Sequence, residues 1–188
     1  MSVVISGDSP NLTGANLSSP TITGAVVSSM ASSVITSGTA VASTSGTSID
    51  FTNIPSWVKR ITLLFNEVSV SGANNPYLIR VGNSSGISSS GYISTSNHFN
   101  AANGTGGSSN TTGFLLYENN QSSNVSGKVS LDLSSGNLWV YSAVFKNSTA
   151  LVGIGAGSTN ITSLDRVRIT TVNGTDTFDT GSINILYE

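Results

Sequence analysis

The sequence has no cysteine, a single histidine and very little charge. Without cysteine there is no disulfide framework and no thiolate metal site. Charged residues make up 9% of the chain, against about 25% in ordinary soluble domains. The seven cations and nine acids leave a net charge of -2. No basic run exists; only Lys59–Arg60 and the pair Arg166/Arg168 come close together. Electrostatic nucleic-acid binding needs clustered Lys and Arg, so no nucleic-acid partner is expected. Zinc needs three or four His, Cys or carboxylate ligands. One His and no Cys make that unpromising, and neither a metal nor a cofactor is expected. No apolar run reaches the ~20 residues of a membrane helix, so no membrane partner is expected. The opening Met1-Ser-Val-Val-Ile-Ser6 lacks a basic stretch and a long apolar stretch, so no secretory leader is expected.

What fills the chain instead is Ser, Thr, Gly and Asn, with 37% hydrophobic residues for a core. Ser, Asn and Gly favour turns, while Thr is β-branched and suits strands. Short runs of strand character recur about every ten residues from Ser37 onward. They are Thr39–Ala42, Thr47–Phe51, Val58–Val70, Tyr77–Gly82, Gly91–Ser96 and Gly113–Tyr117, then Lys128–Leu133, Leu138–Phe145, Leu151–Ala156, Arg166–Val172 and Gly181–Tyr187. Alternation of period two places Val129, Leu131 and Leu133 inward, with Lys128, Ser130 and Asp132 outward. Val167 and Ile169 share one face, as do Ile183, Ile185 and Tyr187. Turn signals separate the runs at Ser71-Gly72, Asn74-Asn75-Pro76, Ser135-Gly136-Asn137 and Asn173-Gly174. Asn-Gly between two strand runs is a hairpin cue. The expected fold is all-β, an antiparallel β-sandwich of jelly-roll-like type.

Composition divides the chain in two. Before Asp50 the only charged side chain is Asp8, and every Phe, Tyr and Trp lies from Phe51 onward. Aromatics dominate core burial. Residues 1–38 are therefore expected to be an extended N-terminal arm, and residues 39–188 the sandwich. The arm carries a ten-residue repeat, Pro10-Asn-Leu-Thr-Gly-Ala15 and Pro20-Thr-Ile-Thr-Gly-Ala25. Its aliphatic side chains cannot bury themselves against one another. Pro10, Leu12, Leu17, Pro20, Ile22, Val26 and Val27 are the expected contacts to sister chains or a partner. A flexible Ser/Gly tail is the alternative.

Catalytic constellations are thin. His98 has no nucleophile elbow near it in a chain rich in Ser, and a triad is defined by geometry. Asp176 and Asp179, with Asp165 before them, are the nearest acids to a carboxylate pair of the kind glycosidases use. The segment Asn173–Asp179 lacks the alternating acids of a calcium loop, and a polar hairpin turn is the preferred reading. The Asn-x-Ser/Thr triplets at Asn11, Asn83, Asn147 and Asn160 are expected by chance in this composition. Trp57 is expected to pack, on the core or in a subunit interface, rather than to touch a ligand. Ser96–Thr112 reads as a long Asn/Gly/Ser loop, and such loops are usually functional or mobile. Tyr92, His98 and Phe99 are the rings nearest it. They are the candidates for stacking on the sugar faces of a glycan, against the preferred reading that they anchor the loop.

Three segments carry a resemblance. Gly46-Thr-Ser-Ile-Asp-Phe-Thr-Asn-Ile-Pro-Ser-Trp-Val-Lys-Arg-Ile-Thr62 resembles the opening of a β-sandwich module of tailed-phage proteins. Thr111-Thr-Gly-Phe-Leu-Leu116 resembles its middle. Leu164–Asp179, followed by Gly181-Ser-Ile-Asn-Ile-Leu-Tyr-Glu188, resembles its ending. The module is similar to ones at the tips of tail fibres and in head decoration (cement) proteins, including those of cyanophages. The resemblance covers roughly residues 40–188. It implies a homotrimeric, non-enzymatic virion protein on the outer surface of the particle. A fibre has a long stalk before its tip, and about 40 residues precede the module here. The expectation is therefore a capsid decoration protein contacting the major capsid protein or neighbouring virion subunits. The alternative is a tail-fibre or tailspike tip that binds host glycan.

Overall fold

The computed structural model describes residues 35–72, 76–100, 104–117, 123–148 and 151–188. The arm contacts Pro10, Leu12, Leu17, Pro20, Ile22, Val26 and Val27 lie outside the described residues. In chain order the strands are β1 (Thr36–Ser37), β2 (Val41–Ala42), β3 (Ile49–Phe51), β4 (Arg60–Val70), β5 (Tyr77–Asn83), β6 (Gly86–Ile87) and β7 (Tyr92–Asn100). They continue as β8 (Thr105–Asn110), β9 (Phe114–Leu116), β10 (Val125–Ser135), β11 (Leu138–Asn147), β12 (Leu151–Asn160), β13 (Arg166–Thr171) and β14 (Phe178–Tyr187). No helix occurs among the described residues.

Every strand pairing is antiparallel. The large sheet runs β1-β14-β4-β10-β11-β12-β7-β8, with β2 following β1 along the outer edge of β14. The small sheet runs β3-β13-β5, with β6 and β9 on the far edge of β5. The expected antiparallel all-β fold is therefore present. Three consecutive strands, β10, β11 and β12, form a meander in the middle of the large sheet. Among the described residues the first paired one is Thr36, opposite Tyr187.

One core joins the sheets. Ile61, Leu63, Leu131, Tyr141 and Ile183 from the large sheet meet Ile79, Val81, Phe114, Val167 and Ile169 from the small one. The period-two alternation produces this directly. Val129 and Leu131 are buried while Lys128 between β4 and β11 is exposed.

Side chains of the large sheet also tie down β9. The Leu115 N–H donates to Ser94 Oγ at 2.8 Å, and the Tyr117 N–H to Ser96 Oγ at 3.0 Å. Ser96 in turn donates to the Ile154 carbonyl at 2.8 Å, and Tyr141 OH to the Leu115 carbonyl at 2.7 Å. A strand at a sheet edge must find partners for its unpaired backbone groups. Here the serines on the inner face of β7 supply them, which is why small polar residues occupy core positions.

Two expectations about connections are corrected. Ser96–Thr112 is not a structureless loop. Most of it forms the hairpin of β7 and β8, paired from Ser94–Asn110 to Phe99–Thr105. Its Gly and Ser content reads as loop, but Gly106 is where the ring of His98 lies; a Cβ there would come within 2.5 Å of His98 Cε1. Likewise Asn173-Gly174 is not a hairpin turn. It links β13 in the small sheet to β14 in the large one. Gly174 has φ +69°, so the turn chemistry is real. An Asn-Gly turn reverses the chain but does not determine whether the flanking strands pair.

The large sheet is bent at one end. Pairings of β14 with β4, and of β4 with β10, shift register near Ser182–Thr180 and Val125–Gly127. Glu67 sits at the bend with φ 51°. Ser126 holds it, accepting from the Glu67 N–H at 3.0 Å and donating to Glu67 Oε1 at 2.7 Å. Such bulges locally increase twist.

Candidate interaction surface

The three rings expected beside the long loop separate. Tyr92 is 2% exposed and sits edge-on to Phe114, with 5.0 Å between ring centres. Its hydroxyl accepts from the Val81 N–H at 2.8 Å, and the Ser88 carbonyl lies 3.2 Å from it. Burial pushes this phenol up, so it stays protonated. His98 is 3% exposed and stacks on Tyr117, with ring centres 5.3 Å apart and planes 5° off parallel. Only Phe99 faces solvent, at 50%. A sugar-stacking platform built from all three is therefore corrected. Strand alternation sends Tyr92 and His98 to the inner face of β7, and Phe99 to the outer one. Trp57 is 41% exposed in the turn before β4, while its neighbour Val58 is buried.

Burial of His98 has a consequence for pH. Its Nδ1 is buried and has no hydrogen-bond partner. Desolvation lowers its pKa below the ordinary value, so the folded protein holds it neutral. The unfolded chain binds a proton there more readily. Stability is therefore lost as pH falls below the unfolded histidine value of about 6.5, at no more than about 1.4 kcal/mol per pH unit from this group. Urea unfolding at stepped pH values between 7.5 and 5.5 checks this. His98→Phe should flatten the slope; parallel slopes for wild type and variant would refute it.

The acids do not assemble. Asp165 is held by Arg166, with Nε to Oδ1 at 2.6 Å, which lowers its pKa. Asp179 accepts a hydrogen bond from Ser69. Asp176 Oδ1 accepts from Asn173 Nδ2 at 2.8 Å, and Asn173 Oδ1 caps the Thr175 and Asp176 N–H groups. Among the described residues no three His, Asp or Glu side chains are placed to hold a metal ion.

The exposed face of the small sheet carries a charged pair. Arg168 makes a two-pronged pair with Asp50 across β13 and β3, at 2.7 and 2.6 Å. Beside it Arg80 Nε donates to the Thr112 carbonyl at 2.8 Å.

The outer face of the large sheet is different. Ten large hydrophobic side chains are exposed among the described residues, and seven of them lie on this face. They are Leu64 on β4, Val140 and Val144 on β11, Val152 and Ile154 on β12, and Ile93 and Phe99 on β7. Register makes them neighbours. Val144 stands opposite Ile154, and Val152 opposite Phe99. A row of small residues, Ser142, Ala156 and Thr95, runs beside them. Charge on this face comes from β4, β10 and β11: Lys128 stands between Leu64 and Val144, Asp132 opposite Val140 and paired with Arg60, and Lys146 opposite Val152 and reaching Glu67. Strands β12, β7 and β8 contain no Asp, Glu, Lys or Arg.

No family model, curated protein or solved structure matches the chain. The phage resemblance therefore rests on the quoted residues themselves. In space those residues form one unit. β3, from the opening segment, pairs with β13, from the ending. β9, from the middle segment, joins the same small sheet through β5. The Ile54 N–H donates to the Asp165 carbonyl at 2.9 Å, and the Lys59 N–H to the Glu188 carbonyl at 2.6 Å.

The apolar outer face was not anticipated from sequence. The signal was available in β12, where Val152-Gly-Ile-Gly-Ala-Gly157 alternates aliphatic with glycine. Aliphatics in an alternating strand are ordinarily assigned inward. Here the glycines face in, because the rings of β11 occupy the space above them. Gly153 lies under Phe145 and Gly155 under Tyr141.

Proposed function

We propose that the chain is a non-enzymatic structural protein of a tailed-phage virion, a homotrimeric capsid decoration protein on the head surface. The observation that carries this is the broad, partly apolar outer face of the large sheet, on which β12, β7 and β8 carry no charge. A surface of that kind suits lateral packing among many virion subunits. The convergence of the three phage-like segments on one structural unit supports the same reading. Head is preferred over tail tip because glycan recognition would draw on exposed rings, and Tyr92 and His98 are buried. Phe99, at the outer face of the β7–β8 hairpin, is what favours the glycan-binding alternative.

Decoration requires no chemistry. Several contacts made together by one oligomer raise its effective concentration at the capsid lattice. Immunogold electron microscopy of virions carrying this chain tests the proposal. Label should spread over the head. Label confined to tail tips would overturn the decoration role in favour of receptor binding.

A further inference from the structure

We infer that the outer face of β11, β12 and β7 is covered by another copy of this chain. The inference rests on the reading of the protein as a self-associating structural subunit, and adds which surface makes the contact and what it meets.

Area comes first. The face from β4 to β8 spans five inter-strand gaps, and its central strands β11 and β12 have ten residues each. At ~4.8 Å per gap and ~3.3 Å per residue this is roughly 800 Å². A stable protein–protein interface buries about 800 Å² on each partner. The face is therefore large enough for one partner, and seven of its side chains are exposed large hydrophobics, a grouping that marks interaction surfaces. Val144 is 61% exposed, Val152 48% and Ile154 44%, all within one contiguous cluster.

Charge selects the occupant. A partner recognised by charge would need complementary ions, and β12, β7 and β8 offer none. Across β12, β7 and β8 a second copy meets no like charge on approach, although each chain carries a net -2. The charged side chains of this face, Arg60, Lys128, Asp132 and Lys146, lie on β4, β10 and β11, so they border the cluster of Val144, Ile154, Val152 and Phe99 on one side and leave β12 and β7 neutral. The strand β11 tells the same story in sequence. Leu138-Trp-Val-Tyr-Ser-Ala-Val-Phe145 is almost continuously apolar, the pattern of a strand covered on both faces. The core covers only one of them.

Sedimentation equilibrium of the full chain at micromolar concentration provides the test. Wild type should exceed the 19.2 kDa of one chain. Val144→Lys combined with Ile154→Lys should move the mass to that of the monomer. Both side chains already face water, so the fold is retained, and far-UV circular dichroism with Trp139 fluorescence verifies it. Val172→Lys, exposed but off this face, should leave the mass unchanged. Mixing the Lys double variant with a Val144→Glu/Ile154→Glu variant should restore association, which only face-to-face contact between copies explains. A monomeric wild type overturns the inference, as does an oligomer that survives the Lys pair. A dimer would support the contact while contradicting the trimer proposed above. Head or tail labelling of virions bears on location alone.

Discussion

Tyr141→Ala is expected to destabilise the protein by about 3–5 kcal/mol, the range for removing a large buried ring. Tyr141 is fully buried on β11 in the central meander. Its ring stacks on Phe114 of β9, with centres 4.8 Å apart and planes 9° off parallel. Its hydroxyl donates to the Leu115 carbonyl at 2.7 Å. One side chain therefore supplies both apolar and polar contact between the sheets. Tyr141→Phe separates the two. It keeps the stack and leaves the Leu115 carbonyl without that donor, at a cost of about 1–3 kcal/mol. Equilibrium urea unfolding, with unchanged denaturant dependence, measures both. A loss below about 1 kcal/mol for Tyr141→Ala would mean the cavity collapses, and that the stack does not hold β9 in place. Total stabilities of about 5–15 kcal/mol make the alanine variant a severe one.

That result bears on what could be read from the sequence. Eleven strand runs were legible, because each is a short run of strand-forming residues bounded by turn residues, and several alternate clearly. β10 and β13 appear with the expected faces inward, as Val129, Leu131, Val167 and Ile169 are all buried. β8 was not legible. Thr105-Gly-Gly-Ser-Ser-Asn110 has no apolar residue to alternate, and it is a strand only because β7 provides a ladder. Pairing is a long-range property. Asn173-Gly174 resembles a hairpin locally, yet β13 pairs with β3 and β5 while β14 pairs with β4.

The site was less legible than the fold. Position in a strand decides whether a ring is buried, and with the hairpin read as loop that parity was invisible. Tyr92, His98 and Phe99 are close in sequence but do not share a face. The outer apolar face was hidden for a related reason. Inward direction was inferred from hydrophobicity, and β12 violates that rule because glycine can be the correct core residue under an aromatic ring.

Gly153→Val puts that last point to a test in which two principles predict opposite signs. Glycine inside a strand is costly, and relative to alanine it loses about 0.5–1 kcal/mol. Valine is among the best strand residues on a scale spanning about 1 kcal/mol. By propensity alone the substitution should therefore stabilise. The geometry opposes it. A Cβ on Gly153 would lie 1.9 Å from Phe145 Cζ and 2.3 Å from its Cε2. Phe145 is itself 3% exposed, so its ring has no open space to move into. Overpacking of this kind costs about 1–3 kcal/mol and sometimes more. With contact this close, net destabilisation of about 2–3 kcal/mol is expected, since the clash exceeds the propensity gain. Phe145→Leu in the same chain shortens the offending ring. The double variant should lose less than the two single losses added, because the residues touch. A stabilised Gly153→Val, or strict additivity with Phe145→Leu, would show that the ring does not lie on the glycine. The inverted pattern of β12, and the outward placement of Val152 and Ile154 that the apolar face depends on, would then lose their physical basis.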